Sequence, residues 1–207
     1  MNRLRLSALA ALLALGGCSS LFNVQRTPFT TYSPQLSAPA AKGAPVDWQL
    51  QVETPLASDT LDTARMLVSP SPGVLEVFPA ARWRDPAPAL LRSLVVQGFE
   101  DSGRIVGVGS AASGLHADYS LAIDLRDFQL ELEGGAHASV RFQARLSDYT
   151  SNRVLATKAF EASAPAAGND AASAFRAFQS ALDRLVPELV DWTLDEGAAL
   201  RARAPAG

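Results

Sequence analysis

The chain has 207 residues, of which 48% are hydrophobic, and its 21 acidic and 18 basic residues leave a formal net charge of −3. A mildly acidic chain lacks the basic surface by which proteins bind nucleic acid or anionic headgroups. Its single cysteine excludes a fold held by internal disulfides, so a hydrophobic core has to hold the domain together.

The N-terminal segment has the features of a secretory signal peptide. Arg3 and Arg5 form a basic start, and Leu6–Leu15 is apolar apart from Ser7. This apolar run is about half of the roughly 20 residues that a membrane-spanning helix needs. We therefore expect residues 1–17 to be a cleaved signal peptide rather than a transmembrane anchor.

The apolar run ends in Leu15-Gly16-Gly17-Cys18, which resembles the lipobox of bacterial lipoproteins. The resemblance implies a diacylglycerol on the Cys18 thiol, cleavage after Gly17 and a third fatty acid on the new amino group. Three acyl chains make an effectively permanent anchor, whereas one chain binds only marginally. The alternative is an ordinary buried thiol. Ser19 follows, where lipoproteins retained in the inner membrane have Asp, so the periplasmic face of the outer membrane is favoured.

Residues 18–46 are rich in Ser, Thr, Pro and Ala and predict a lipidated N-terminus followed by a flexible tether. Four prolines interrupt any regular series of backbone hydrogen bonds in this segment: Pro28, Pro34, Pro39 and Pro45. Phe22, Phe29 and Tyr32 break this polar composition. Part of the segment is therefore expected to dock as an edge strand.

Three short strands and a helix are expected next. The strands are predicted at Trp48–Val52, Arg65–Val68 and Val74–Phe78, the last two joined by a Pro-rich turn. Asp85-Pro86 predicts a helix start, because Asp caps free backbone donors and Pro has no donor to lose. An apolar stripe at helical spacing follows, and Gly103 is placed to end the helix.

A run of antiparallel strands follows, beginning with Arg104–Gly109. Between Tyr119 and Leu132 the buried positions change from odd to even near Arg126-Asp127, which predicts a β-bulge. Gly134-Gly135 predicts a hairpin turn before the return strand, and Asn152 a second turn before a strand ending near Phe160.

The last helix has a single apolar seam, made by Ala171, Phe175, Phe178, Leu182, Leu185, Leu189 and Trp192. We interpret it as a core-facing helix, the alternative being a coiled coil. Pro187 predicts a kink or a break in the last turns. Residues 198–207 are expected to be a disordered tail, which leaves residues 47–197 as one α+β domain with a mostly antiparallel sheet and two main helices packed on it.

Patterns that would indicate catalysis are weak. Gly107–Ala112 fits the loose dinucleotide-binding pattern, but no helix is predicted after it. Neither Ser110 nor Ser113 has the glycines of a hydrolase nucleophile. His116 and His137 lie in or beside polar turns, away from any cysteine or carboxylate cluster.

Carboxylate pairs are weak candidates too. Asp124 and Asp127 form one such pair, and Glu131 and Glu133 form another. By the period of a strand, Glu131 and Glu133 lie on its solvated face, which is the ordinary place for acidic side chains. We therefore predict that the protein is not an enzyme, and that it binds no metal and no cofactor apart from the covalent lipid on Cys18.

Several short stretches stand in order along the mature chain: Tyr32–Pro34, Leu61–Thr63 with Arg65, Ala81–Asp85, Ala117–Tyr119 with Leu121, Phe128, Ala159-Phe160 and Trp192. Their order and spacing resemble the ABC-type transport auxiliary lipoprotein family, which includes paraquat-inducible lipoproteins. Pro187 and Asp195-Glu196, in and after the last helix, depart from that pattern.

The resemblance implies a non-enzymatic auxiliary component of an ABC system that moves lipids between the two membranes. Its partners would be a mammalian-cell-entry domain protein, an inner-membrane permease and a cytoplasmic ATPase, and a homo-oligomeric ring is plausible. The best candidate for partner binding is Arg82-Trp83-Arg84, since exposed aromatic and Arg side chains are typical anchors. The alternatives are that Trp83 covers the end of the core, and that the protein is a structural or assembly lipoprotein of another outer-membrane machine.

Overall fold

The computed structural model describes residues 28–37 and 43–203. The predicted signal peptide and Cys18 lie outside these described residues. In chain order, the described elements are β1 (Thr30–Tyr32), β2 (Val46–Val52), β3 (Arg65–Ser69), β4 (Glu76–Trp83), α1 (Ala87–Ser102), β5 (Ile105–Gly109), a 3-10 turn (Ala111–Ser113), β6 (Tyr119–Glu131), β7 (His137–Asp148), β8 (Val154–Pro165) and α2 (Ala171–Arg203).

The sheet is organised around the long strand β6. On one side β6 pairs with β7 in antiparallel fashion, and β7 pairs in the same way with β8. On its other side, β6 pairs with two strands that run parallel to it. Strand β2 pairs with the start of β6 through Leu50–Val52, and β3 pairs with the end of β6 through Leu67–Ser69. Strand β5 extends the sheet beyond β2, while β4 and then β1 extend it beyond β3.

The two helices pack on this sheet, α2 against β7 and β8, and α1 against α2, β5 and β2. The two longest ladders, β6–β7 and β7–β8, are antiparallel, while the parallel ladders are short. The prediction of a single α+β domain with a mostly antiparallel sheet and two main helices is confirmed.

The change of phase in β6 is a β-bulge, as the sequence predicts. The ladder between β6 and β7 shifts register between Leu125 and Asp127. Ile123 and Leu125 face the core before the shift, and Phe128 and Leu130 face it afterwards; all four are buried. The extra residue lets one strand keep both apolar sets on the same face.

Helix α1 confirms the predicted stripe, its end and the place of its start, but not the predicted side-chain cap. Leu90, Leu91, Leu94, Val95, Gly98 and Phe99 are buried, and Gly103 closes the helix in the left-handed conformation at φ 61°. The N-cap is Pro86, with no side-chain hydrogen bond. The Asp85 carboxylate instead accepts a hydrogen bond from Arg84 Nε at 2.9 Å, so the prediction that Asp85 caps the helix is wrong.

Helix α2 runs without a break through Pro187. The residues on either side of the proline hold the helix against the core, because Leu185, Val186, Leu189 and Val190 are at most 1% exposed. Burial of this apolar face offsets the one backbone hydrogen bond that proline cannot donate. The prediction of a break at Pro187 is corrected accordingly.

The edge strand expected within the tether is present, and the last helix extends further than predicted. Thr30–Tyr32, inside the predicted tether, form an edge strand parallel to β4, and the Tyr32 ring lies 5.1 Å from the Phe175 ring of α2. At the other end α2 continues to Arg203 instead of giving way to a tail at residue 198. An ion pair of 2.8 Å between Arg201 and Asp118 ties its last turns to the start of β6.

Candidate functional site

Of the residues predicted to bind a partner, Arg82 and Trp83 lie at the end of β4, and Arg84 directly follows the strand. Trp83 is the last residue of this strand and is 1% exposed. Its ring meets the rings of Phe128 and Phe178 at centroid distances of 5.5 and 5.1 Å, in edge-on geometry. Trp83 therefore belongs to the core, and the prediction that it is an exposed anchor is corrected in favour of the alternative.

Arg82 and Arg84, on either side of Trp83, are exposed. Strand alternation causes this, because neighbouring side chains point to opposite faces. Arg82 Nε donates to Thr31 Oγ1 at 3.4 Å, so it also contacts β1. Arg84 pairs with Asp85 and keeps 59% of its side chain exposed. Two guanidinium groups thus remain available at this edge of the sheet.

Arg84 also lines a cleft of about 330 Å³ between α1 and the residues that follow β1, here named the Arg84 cleft. Its other lining residues are Pro34, Gln35, Leu90, Ser93, Leu94 and Gln97. Polar atoms dominate its accessible surface. A polar cleft lined by an arginine fits the acidic or amide groups of a partner protein better than it fits an apolar small molecule.

The segment that follows β1 is fastened to α2 by hydrogen bonds. The backbone N–H of Gln35 donates to Gln179 Oε1 at 3.1 Å, and the Gln179 amide donates back to the Gln35 carbonyl. The backbone N–H of Ser37 donates to Asp183 Oδ1 at 2.8 Å. These bonds fix one wall of the Arg84 cleft and hold the N-terminal segment on the domain.

A buried arginine, Arg104, holds the residues just before β2 against α2. Arg104 has 9% of its side chain exposed and donates to Asp191 at 2.7 Å and Asp195 at 3.1 Å. Its Nε donates to the Ala44 carbonyl at 3.4 Å. One guanidinium therefore links the end of α1, the start of β2 and the second half of α2. The sequence offers no local signal for it, because its two acidic partners lie 87 and 91 residues away.

Replacing this buried arginine is expected to destabilise the protein. Arg104→Met keeps most of the aliphatic stem but removes the hydrogen bonds to two carboxylates. A hydrogen bond to a charged group contributes at most about 1.5–3 kcal/mol. Because both carboxylates keep access to water, we expect a loss of about 1–3 kcal/mol in the free energy of unfolding, measured by urea denaturation. The matched control is Arg126→Met, which removes an exposed pair with Asp124 and should cost about 0–1 kcal/mol. Equal losses in the two variants would contradict the linking role of Arg104.

Helix α2 begins with a side-chain cap at Asp170. The backbone N–H groups of Ala172 and Ser173 each donate to Asp170 Oδ1 at 3.0 Å, and the Ser173 hydroxyl donates to Oδ2 at 2.7 Å. These bonds, those from Ser173 above all, hold the pKa of the Asp170 carboxyl below its ordinary value of 3.8. A lowered pKa in the folded state means that the ionised carboxylate stabilises the fold.

The cap is expected to give a pH-dependent stability. Asp170→Ala should lower the melting temperature at neutral pH, where the carboxylate is ionised in both the folded and the unfolded chain. As the pH falls through the ordinary value and then the lowered folded-state pKa, the wild type loses this contribution and the two melting curves converge. Thermal unfolding at a series of pH values measures this. Asp59→Ala, in the exposed loop before β3, is the control, and a difference from wild type that persists in acid would contradict the cap.

The residues considered for catalysis do not come together. His137 Nδ1 lies 2.7 Å from the Gly135 carbonyl oxygen, in the β6–β7 turn. Asp124 and Asp127 pair with Arg126 and Arg141. Strand β5 is followed by the 3-10 turn Ala111–Ser113, not by the helix that a dinucleotide site requires. Among the described residues, no three His, Cys, Asp or Glu side chains form a group suited to a metal ion.

Within residues 28–37 and 43–203, no helix is both long and apolar enough to cross a membrane.

Comparison with known proteins gives a family for this fold. A family model described as "ABC-type transport auxiliary lipoprotein component" matches residues 30–190. A protein of Bradyrhizobium diazoefficiens, uncharacterized protein bll6063, is 30% identical over 174 residues, which cover 82% of this chain and 45% of that protein. The chain thus spans about half the length of this curated relative.

Two solved structures have folds similar to that of this chain. The crystal structure of XCC0632 from Xanthomonas campestris is similar, with a TM-score of 0.79 and 36% identity over 84% of this chain and 99% of that one. The structure of CT253 from Chlamydia trachomatis has a TM-score of 0.52 at 14% identity, covering 74% of this chain and 99% of that one. At this lower identity the similarity concerns the fold alone.

Proposed function

This chain belongs to the family of ABC-type transport auxiliary lipoprotein components, and from that membership we propose that it is a periplasmic lipoprotein of the outer membrane that serves an intermembrane lipid transport system. The system would be linked to a mammalian-cell-entry domain protein and driven by an ABC permease and ATPase. The single observation that carries this proposal is the family match, which extends over nearly the whole described domain from β1 into α2.

The proposed anchor is the lipid on Cys18, in the lipobox Leu15–Cys18. The folded part holds the segment after β1 firmly, through Gln35 and Ser37 on α2. A lipid at Cys18 would therefore be joined to the domain by only the short stretch that precedes β1. Ser19 after the cysteine supports the outer membrane as the site of anchoring.

The proposed role is to bind a partner, not to catalyse a reaction. In this scheme ATP is hydrolysed by the cytoplasmic ATPase, and the lipoprotein receives or braces the periplasmic end of the lipid conduit. We place the partner contact at Arg82, Arg84 and the Arg84 cleft. The two exposed guanidinium groups suit carboxylates of the mammalian-cell-entry protein, since Arg pairs with carboxylates in bidentate fashion.

Co-purification tests this function. The lipoprotein, extracted in mild detergent from cells that also make the mammalian-cell-entry protein, is expected to retain that protein on an affinity column. A double variant, Arg82→Glu with Arg84→Glu, should lose most of it. Arg126→Glu, which reverses another half-exposed, ion-paired arginine on the sheet, is the matched control and should leave retention unchanged.

The outcomes separate the two functions considered. If the wild type fails to retain the mammalian-cell-entry protein and instead retains components of another outer-membrane machine, the role in lipid transport is wrong and the assembly role replaces it. If the double variant at Arg82 and Arg84 retains the partner as well as the wild type and Arg126→Glu do, the partner contact lies elsewhere than Arg82 and Arg84.

The anchor has its own test. We expect Cys18→Ala to leave unprocessed precursor that incorporates no radiolabelled palmitate, because the lipid acceptor is gone. Metabolic labelling followed by electrophoresis measures both properties. The wild type should incorporate label and migrate as the shorter mature form, and equal labelling of the variant would overturn Cys18 as the lipid site.

A further inference from the structure

The turn between β3 and β4 exposes apolar side chains at one end of the domain. Val74, Leu75 and Val77 are 42%, 42% and 40% exposed, and we name residues 69–78 the apolar hairpin. Three exposed aliphatic side chains in four positions depart from the usual surface pattern of isolated ones. Between Met66 and Ala81 the only charged residue is Glu76, so the hairpin itself carries no basic group. Arg126 of β6 lines the cleft beside Val74 and Leu75, where it is paired with Asp124.

The apolar hairpin has a defined conformation. The backbone N–H of Val74 donates to the Ser71 carbonyl at 3.1 Å, and the Ser69 hydroxyl donates to the same carbonyl at 3.1 Å. Gly73 supplies the left-handed residue of the turn, at φ 78°. The turn therefore presents Val74 and Leu75 outward as part of the folded structure.

The N-terminal segment points toward this same end. Strand β1 is parallel to β4, with Thr30 beside Ala81 and Tyr32 beside Trp83. Read backward, the direction of β1 is toward the start of β4 at Glu76, which is the base of the apolar hairpin. Phe29, which is 62% exposed, lies on this path. Residues 18–27 extend by at most about 35 Å, so Cys18 stays within reach of this end.

The opposite end of the sheet has a different character. It contains the Arg201–Asp118 ion pair and the turn from Asp148 to Arg153. Tyr149 and Val154 are 39% and 51% exposed there, but they stand among these charged groups. The two ends are separated by the length of β6, which is about 40 Å at roughly 3.3 Å per residue. Val74, Leu75 and Val77 thus form a contiguous exposed apolar group at the end where β1 begins, whereas Leu56 and Val106, which are 65% and 75% exposed, lie outside this group.

We infer that the apolar hairpin and Phe29 rest on the phospholipid bilayer that carries the lipid on Cys18. This inference depends on the anchor in the proposed function. Val74 and Leu75 enter the boundary between headgroups and acyl chains, β6 stands away from the membrane, and the end with Asp118 and Val154 faces the periplasm. The contact supplements the acyl anchor and is hydrophobic, so salt should not weaken it as it weakens contacts through basic residues.

Site-specific fluorescence tests this orientation. In the mature protein Cys18 is blocked by its lipid, so an introduced cysteine is the single site for a thiol-reactive, environment-sensitive dye. Leu75→Cys reports on the apolar hairpin, and Val154→Cys is the matched control, an exposed aliphatic residue at the opposite end. The lipidated proteins are reconstituted in vesicles of phosphatidylethanolamine and phosphatidylglycerol, with and without brominated lipids as quenchers.

We expect the dye at Leu75 to shift to shorter wavelength and to lose most of its emission to brominated lipid, at low and at high salt. The dye at Val154 should keep the emission it has in water. A second site in the apolar hairpin, Val74→Cys, should behave as Leu75→Cys does, and circular dichroism confirms that each variant is folded. Equal quenching at Leu75 and Val154, or none at either site on vesicle-bound protein, would overturn the inference.

Failure of the anchor gives a separate signal. Wild-type protein that takes up dye at Cys18, or does not float with vesicles, lacks the lipid, and both the proposed anchor and this orientation then fail. Protein that floats but leaves the Leu75 dye in water refutes only the orientation. If the Leu75 dye leaves water only when the mammalian-cell-entry protein is added, the apolar hairpin is a protein interface and the inference is wrong.

Discussion

Trp83→Ala is expected to lower the free energy of unfolding by about 3–5 kcal/mol, the range for truncating a fully buried Trp. Trp83 is 1% exposed and its ring touches Phe128 of β6 and Phe178 of α2. Removing it opens a cavity where the edge of the sheet meets the helix layer. The shift of the urea midpoint measures this loss.

Neighbouring substitutions show whether Trp83 acts through the core or through a partner. Arg82→Ala and Arg84→Ala remove exposed side chains from the same stretch and should change stability by no more than about 0.5 kcal/mol. Trp83→Phe keeps an aromatic ring inside, so it should lose less stability than Trp83→Ala and still retain the mammalian-cell-entry protein. Loss of the partner with full stability in Trp83→Phe would restore Trp83 as a binding residue.

Gly197→Val is expected to destabilise the protein by about 3 kcal/mol, at the upper end of the cost of overpacking a core. A Cβ atom at Gly197 would lie 2.3 Å from Cζ2 and 2.8 Å from Cε2 of Trp48. The indole has little freedom to move, because Trp48 is 1% exposed and meets the Tyr119 ring edge-on at 5.1 Å. Urea denaturation is again the measurement.

The control for Gly197 is the next residue of α2. Ala198→Val introduces the same side chain on the exposed face and should cost about 0.5 kcal/mol or less. Replacing Trp48 by Leu tests the contact itself, since the cost of Gly197→Val should fall once the indole is gone. An unchanged cost in the Trp48→Leu background would show that the strain arises elsewhere.

Features encoded by local spacing were predictable from the sequence. The β-bulge at Arg126-Asp127 follows from the change of buried positions along β6, and the left-handed Gly103 follows from its place after the apolar stripe of α1. Gly134 and Asn152, predicted as turn residues, have φ of 73° and 55°. Each of these signals is read within a few residues, because side-chain period and backbone conformation are local properties.

Features that depend on a distant partner were predicted poorly. Pro187 does not interrupt α2, because the helix is buried on both sides of it. The sequence leaves Trp83 as either an exposed anchor or a residue that covers the core, because its strand is predicted to end at Phe78. Strand β4 instead continues to Trp83, whose ring is buried. In each case burial or pairing elsewhere in the fold outweighed a local preference of the order of 1 to 3 kcal/mol.

By itself, the sequence determined the α+β class, the family resemblance and the positions of most strands and helices, because these depend on the order and period of apolar residues along the chain. Only the tertiary structure decided that β2 and β3 share one side of β6, and that Arg104 reaches Asp191 and Asp195. It also decided that β1 runs parallel to β4, with its start toward the apolar hairpin. These contacts join residues far apart in sequence, and their register follows from packing the whole core at once, which no local pattern records.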